Sequence, residues 1–226
     1  MRRACLLLLL LPLLAFAQDD NPTLLGAQLR TRPDFDGSKD QVIDVIPMVR
    51  YYGKTLFART TQGLLEGGAR AEIAQGLAVG AQVAYEAAGK TLDWGASVGA
   101  HVEWDTKIGP APFNLLARYR QNVDTDRGAE ADLRANLGVY GSGPWQAGVF
   151  TQATWGSSKW SSAYYGVSGS GLAYVSGGVL GSYDLSRQWM LVGSAEARSL
   201  QGDVKDSAIV DRRTGYYVSG GIAYRF

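Results

Sequence analysis

The chain is poor in the side chains that build most covalent and metal sites, since its 226 residues include one cysteine and one histidine. Cys5 lies in an N-terminal segment that we expect to be removed, which excludes disulfides and thiolate metal ligands from the mature chain. A single histidine, His101, excludes histidine-rich metal sites. After residue 17 no run approaches the ~20 apolar residues that a transmembrane helix needs. The 22 Lys and Arg against 21 Asp and Glu provide no positive field for nucleic acid, so we expect no nucleic-acid partner.

The N-terminus has the pattern of a secretory signal peptide. Arg2 and Arg3 precede an apolar run, and the sequence Ala15-Phe16-Ala17 then leads into polar residues from Gln18. A basic start, a short apolar core and an A-x-A exit are typical of a signal that is cleaved on export. We therefore expect residues 1–17 to be the cleaved signal and residues 18–226 to form a single domain.

Period-two alternation runs through most of the mature chain and predicts β-strands. Between Trp94 and Asp105, apolar residues beginning and ending in tryptophan alternate with small or polar ones, and Trp145 to Trp155 repeats this pattern. An apolar face with aromatic ends suits a band of lipid between two interfaces. The last strand places Tyr224 and the C-terminal Phe226 on the apolar face. This strand is expected to close an outer-membrane barrel.

About twelve strands follow from this pattern, with ten as an alternative because the segment from Gly63 to Gly80 is weakly patterned. The sequence thus predicts an all-β fold, a transmembrane antiparallel up-and-down β-barrel with short periplasmic turns and longer extracellular loops. Gln62–Glu66 is expected to be one of the longer loops. Thr106–Ala111 is an exception to this alternation of short turns and long loops, because it is a long link on the turn side.

The polar faces of the strands carry charges of both signs, which are expected to fill the lumen. We predict that His101, Glu103, Arg118 and Arg134 point inward. Mixed signs favour an interior network of ion pairs, and about twelve strands lies between filled eight-stranded barrels and open sixteen-stranded ones. A narrow or closed pore follows. No serine accompanies His101 in an H-x-S arrangement, so His101 is interpreted as a hydrogen-bonding lumen residue, and no catalytic, cofactor or metal site is expected.

Several short motifs resemble those of one family. They are Pro33-Asp34-Phe35-Asp36-Gly37-Ser38, Ile46-Pro47, Tyr164-Tyr165-Gly166-Val167, Leu200-Gln201-Gly202-Asp203, Asp206-Ser207-Ala208-Ile209-Val210 and the Tyr224-Arg225-Phe226 end. Together they resemble the MipA/OmpV family of outer-membrane proteins over most of the mature chain. The resemblance marks Gly37, Ser38, Tyr165, Gly166, Asp206 and Ser207 as family-motif loop residues.

The resemblance implies a non-catalytic scaffold in the outer membrane that links a lytic transglycosylase to a peptidoglycan synthase. Contact with such partners is expected at the Thr106–Ala111 turn and at the mature N-terminus, Gln18 to Thr23. The second hypothesis is a small passive pore. The third is a lipid-modifying enzyme, for which the chain lacks a nucleophile paired with a base.

Overall fold

The structure, a computed structural model, describes residues 22–86 and 95–226 and folds them into twelve antiparallel strands with one short α-helix. The predicted signal peptide, residues 18–21 of the expected contact segment Gln18 to Thr23, and Trp94 lie outside these ranges. The strands are β1 (Leu24–Pro33), β2 (Gln41–Tyr52), β3 (Leu56–Thr61), β4 (Leu64–Ala74), β5 (Leu77–Glu86), β6 (Gly95–Ile108), β7 (Ala111–Asn122), β8 (Ala129–Ser142), β9 (Trp145–Gly156), β10 (Gly171–Asp184), β11 (Trp189–Leu200) and β12 (Thr214–Arg225). The helix is α1 (Ser158–Tyr165), and two 3₁₀ turns cover Thr125–Arg127 and Gly202–Asp206.

The sheet closes on itself, because β1 pairs with β2 on one side and with β12 on the other. Leu24 lies opposite both Arg50 and Arg225, so the closing seam begins at the first residue of β1. Every strand pairs with its neighbours in chain order. This confirms the predicted up-and-down barrel with twelve strands, and the ten-stranded alternative is wrong.

The side-chain alternation is the predicted one. On β12, Tyr217 and Ala223 are buried inside, whereas Tyr216 and Ile222 are exposed on the outer wall. Outward aromatic residues gather near both ends of the barrel. Trp104, Trp145, Trp189, Tyr224 and Phe226 lie towards the turn end, and Tyr85, Tyr119, Trp155 and Tyr216 lie towards the loop end. Two aromatic girdles around an apolar band are typical of an outer-membrane barrel.

Two predicted connections are wrong in length. The Thr106–Ala111 link is a tight turn of Gly109 and Pro110, because β6 and β7 remain paired as far as Ile108 and Ala111. Gly109 has φ +60°, which lets the chain reverse within two residues. The turn side therefore has short links throughout the described ranges.

The expected long loop Gln62–Glu66 is likewise a two-residue turn, in which Gln62 and Gly63 both have positive φ angles of 53° and 90°. Positive φ at both central positions defines the hairpin turn that matches strand twist. Glu66 therefore belongs to β4 and not to a loop.

One stretch of the wall is thin, since β3 has six residues and pairs with only three residues of the twelve-residue β2. Residues 41–49 of β2 thus lack a strand partner on the β3 side. Pro47 lies in this part of the strand and has no amide hydrogen to donate, which suits an edge position in a sheet. The Ile46-Pro47 motif thus coincides with the place where the wall is incomplete.

Among the described residues, no helix has both the length and the apolar character required to cross a bilayer.

Candidate functional site

A network of buried ion pairs crosses the lumen and connects strands that are not neighbours. Arg59 on β3 donates to Glu66 and, at 3.0 Å, to Glu103 on β6. Arg118 on β7 lies 2.9 Å from Glu66 on β4 and 2.9 Å from Asp132 on β8. No more than 6% of any of these five side chains is exposed. We call Arg59, Glu66, Glu103, Arg118 and Asp132 the bore network.

In the bore network the buried side chains of Glu103 and Arg118 lie in the lumen, together with charges of both signs. Charges this deeply buried persist only when each has an oppositely charged or hydrogen-bonding partner. Here every carboxylate accepts from at least one guanidinium. The network therefore joins the β3–β4 hairpin to the wall formed by β6, β7 and β8, and occupies the bore between them.

His101 is buried inside the barrel, where it is held by neutral groups. Its Nδ1 lies 2.7 Å from Gln82 Oε1, and its ring meets the Phe57 ring edge-on at a centroid distance of 4.9 Å. In the part of the chain that the structure describes, no serine, threonine or cysteine hydrogen-bonds to this ring. The arrangement has no nucleophile for His101 to activate.

A second cluster lies towards the loop end and is centred on Arg198 of β11. Arg198 Nη1 lies 2.6 Å from Asp36 Oδ2, and Arg198 Nη2 lies 3.2 Å from Glu196. The guanidinium stacks over the rings of Tyr174 and Tyr217 at 4.3 and 4.5 Å. Since Asp36 belongs to the first loop (residues 34–40), this loop is tied into the lumen by a charged contact.

The family-motif loops pack together over the same end of the barrel. Gly37 O accepts hydrogen bonds from the amides of Asp211 and Arg212 in the sixth loop (201–213), at 2.8 and 2.9 Å. Gly37 has φ +107°, and a Cβ there would lie 2.8 Å from the Val210 side chain. Only glycine suits this position on both counts. Ser38 next to it is buried.

The fifth loop (157–170) completes this cap through α1. The Ser207 hydroxyl donates to the carbonyl of Tyr165, and Gly166 ends the helix in the left-handed conformation at φ 68°. An apolar core forms beneath the loops from Trp160, Tyr165, Ala173, Tyr174, Leu200 and Val204. Burial raises the pKa of Tyr164, which packs against this core, to about 12. We call loops one, five and six with this core the extracellular cap.

Four of the six motif loop residues (Gly37, Ser38, Tyr165 and Ser207) are thus buried in the extracellular cap, whereas Gly166 and Asp206 are exposed on its surface. Asp206 pairs with Arg213 at 2.8 Å, and both side chains are more than half exposed. Gly37, Tyr165 and Ser207 make the hydrogen bonds that join the sixth loop to the first and fifth loops.

The lumen is open at the opposite end. A cavity of about 490 Å³ reaches from the turn end of the barrel, where β1 begins at Leu24 and β2 ends at Tyr52, to Gln62, Gly63 and Glu196 deeper inside. The Gln62-Gly63 turn folds into the lumen, where the Gln62 side chain donates to Glu196 at 2.5 Å. Arg134 lines this cavity. Its Nε donates to Asn136 at 2.9 Å and its Nη1 to Gln152 at 3.3 Å.

Three lumen residues were missed from the sequence. Arg59 lies on a strand of only six residues, and Glu66 was assigned to a loop because the Gln62-Gly63 turn was not recognised. Arg30 on β1 makes a 2.8 Å ion pair with Asp44 and donates to Gln62 O at 2.6 Å. The alternation Leu24, Gly26, Gln28 and Arg30 was a usable signal for Arg30, since a glycine and two polar residues share that face.

The closing strand carries its aromatic end as predicted. Tyr224 stacks edge-on against Trp189 at 5.1 Å and against Phe226 at 4.9 Å, and the Phe226 amide donates to Thr23 O at 3.0 Å. In the described ranges no group of three or more His, Cys, Asp or Glu side chains could hold a metal ion.

Solved structures with the same fold are outer-membrane proteins. An outer-membrane channel from Pseudomonas putida F1 matches with TM-score 0.55 and 10% identity, covering 93% of this chain and 97% of its own. The NanC porin matches with TM-score 0.54 and 10% identity, covering 89% of this chain and all of its own. At this identity the likeness establishes the fold alone. No curated protein sequence matches the chain.

The barrel topology, the aromatic girdles and these neighbours place the protein in the outer membrane. The sequence profile of the family described as MltA-interacting protein MipA matches residues 25–226. This range begins within β1 and includes every later strand and all three loops of the extracellular cap. The chain therefore belongs to the MipA family.

Proposed function

We propose that the protein is a non-conducting barrel that anchors a lytic transglycosylase at the inner face of the outer membrane, with a peptidoglycan synthase as a second partner. The observation that carries the proposal is the bore network, which joins strands three apart in the sheet through Arg59, Glu66 and Arg118. The extracellular cap adds an obstruction above it. A lumen that is narrowed by ion pairs and covered by a cap suits an anchor better than a pore.

The family description supports the identity of the first partner, because it names an interaction with MltA. The place of contact follows from the tight turns. Since the Gly109-Pro110 turn offers little surface, we assign the contact to the periplasmic rim as a whole. Its longest turn in the described ranges covers residues 185–188, where the Leu185 side chain is half exposed.

A retention assay with the purified protein tests the anchoring role. The barrel, carrying an affinity tag and reconstituted in lipid nanodiscs, is mixed with purified lytic transglycosylase and then with purified peptidoglycan synthase. We expect retention of the transglycosylase by the parent chain and its loss in the double variant Leu185→Glu, Arg187→Glu. Arg213→Glu, on the opposite face in the sixth loop, is the matched control and should retain the enzyme.

Conductance in a planar bilayer decides between anchor and pore. The parent barrel should give no steady current, because the bore network narrows the lumen and the extracellular cap lies over its loop end. Steady single-channel conductance without retention of either murein enzyme would contradict the anchor and favour the small passive pore.

A further inference from the structure

The cavity at the periplasmic end has an apolar patch and a polar patch in its wall. Leu24, Met48, Met190 and Val192, on β1, β2 and β11, pack against one another in the apolar patch. The polar patch lies on β7 and β8 and contains the amides of Asn114 and Asn136 and the guanidinium of Arg134. At about 490 Å³ the cavity has the size of a small-molecule site.

Arg134 is the exceptional charge in this lining. It is 4% exposed, yet no carboxylate among the described residues forms an ion pair with it. Its two hydrogen bonds go to the neutral side chains of Asn136 and Gln152, and the guanidinium lies 3.9 Å above the Phe150 ring. Neither amide oxygen carries a charge to balance the guanidinium, so the cation lacks the partner that buried charges normally have.

The two carboxylates that line the cavity already accept hydrogen bonds from other side chains. Glu103 accepts from Arg59 at 3.0 Å and from Asn114 at 2.9 Å. Glu196 accepts from Arg198 at 3.2 Å and from Gln62 at 2.5 Å. Of the other arginines in the lining, Arg30 pairs with Asp44 at 2.8 Å, and Arg59 pairs with Glu66 and Glu103. Arg134 therefore gives the cavity a positive charge that no ion pair among the described residues balances, and this charge favours an anion.

From this arrangement we propose that the cavity is a binding site for a small monovalent carboxylate with an apolar tail, which enters from the periplasmic side. The carboxylate oxygens accept hydrogen bonds from Arg134, the geometry that a guanidinium fork satisfies best. The amides of Asn114 and Asn136 lie beside it. The tail lies against Leu24, Met48 and Met190. The site is independent of the anchoring role, because it requires neither the periplasmic rim nor a partner protein.

Equilibrium dialysis with the barrel in nanodiscs tests this site, using radiolabelled hexanoate, hexan-1-ol and hexylammonium as probes and empty nanodiscs as the blank. We expect hexanoate to bind more tightly than the alcohol and hexylammonium not to bind. Arg134→Gln should weaken hexanoate binding about tenfold to a hundredfold, the range for a lost charged hydrogen bond, and leave hexan-1-ol unchanged. Arg134→Lys keeps the charge and should lose less affinity than Arg134→Gln.

The exposed arginine Arg213 supplies the control, since Arg213→Gln should bind hexanoate like the parent. Heat-modifiable gel mobility shows that each variant is folded. Competition by hexadecanoate within the nanodisc lipid would identify a lipid-derived ligand, and its absence would identify a periplasmic solute; both results support the site. Equal binding of hexanoate by the parent and by folded Arg134→Gln and Arg134→Lys would overturn the proposal.

Discussion

Replacing Arg118 by methionine tests whether the bore network holds the barrel together. Arg118 contacts Asp132 through Nε and Nη2 and Glu66 through Nη1, and its side chain is 2% exposed. The network contains two arginines and three carboxylates, so the parent has a formal charge of −1 and the variant −2. Asp132, 1% exposed, would lose the only ion-pair partner that the described residues give it.

The expected cost follows from this loss. Removing one partner of a buried ion pair typically destabilises a protein by about 3–5 kcal/mol, because the remaining charge is left in a medium of low polarity. The variant Asp132→Asn removes the carboxylate charge that Arg118→Met leaves unpaired. We therefore expect the double variant Arg118→Met, Asp132→Asn to be less destabilised than the sum of the two single variants, with a coupling free energy of about 1–3 kcal/mol.

An exposed ion pair of the same length provides the matched control. Arg213 and Asp206 lie 2.8 Å apart, with side chains 64% and 58% exposed. Solvent screens such a pair, so Arg213→Met should cost only about 0–1 kcal/mol. Urea unfolding of the barrel in lipid vesicles, followed by tryptophan fluorescence, measures all four variants. A cost for Arg118→Met no larger than that for Arg213→Met would refute the reasoning.

Four further predictions concern the ends of the chain, the lumen and the cap. Deleting Phe226 should reduce the amount of inserted barrel in membrane fractions, because its contacts with Tyr224 and Thr23 secure the closing strand; insertion at the parental level would contradict this. N-terminal sequencing of the parent barrel from membrane fractions should give Gln18 as the first residue. His101→Ala should lower stability modestly and abolish no activity. Among the described residues, the His101 ring hydrogen-bonds to Gln82 and makes an aromatic contact with Phe57. Loss of a measured hydrolase activity in this variant would overturn the non-catalytic assignment. The absorbance difference at 295 nm between the parent and Tyr164→Phe should titrate near pH 12 in the folded barrel. Because the pKa of the folded state is raised above the ordinary 10, the cap is fully stable below pH 10 and loses stability as pH rises towards 12; a midpoint of about 10 would show that Tyr164 is not buried.

The sequence predicted the faces of the strands better than their ends. Alternation is a local property, so Glu103 and Arg118 could be placed in the lumen without knowledge of their neighbours. Turn lengths depend on backbone conformation, and Gln62 adopts a positive φ that its residue type does not predict. Because this turn is not evident from the sequence, Glu66 is predicted in a loop, although it is the carboxylate that pairs with both arginines of the bore network.

The extracellular cap was inaccessible to strand patterns for a different reason. Gly37 lies in the first loop, whereas Tyr165 and Ser207 lie in the fifth and sixth loops, and their contacts are hydrogen bonds to backbone carbonyls that follow no periodicity. The family motifs located these residues, but nothing in their spacing indicated that they touch. Their shared role emerges only when the barrel brings the three loops to one end.

The bore network itself shows which ion pairs a sequence can predict. Arg118 and Asp132 face each other on neighbouring strands, so their pairing follows once the hairpin register is known. Arg59 with Glu103, and Arg118 with Glu66, join strands three apart in the order of the sheet. Ion pairs between such strands cross the lumen and depend on the diameter of the barrel, which is set by strand number and stagger. A ten-stranded barrel from the same sequence would bring different side chains within reach of one another. The bore network is therefore a consequence of the closed twelve-stranded sheet as much as of the charges that line the lumen.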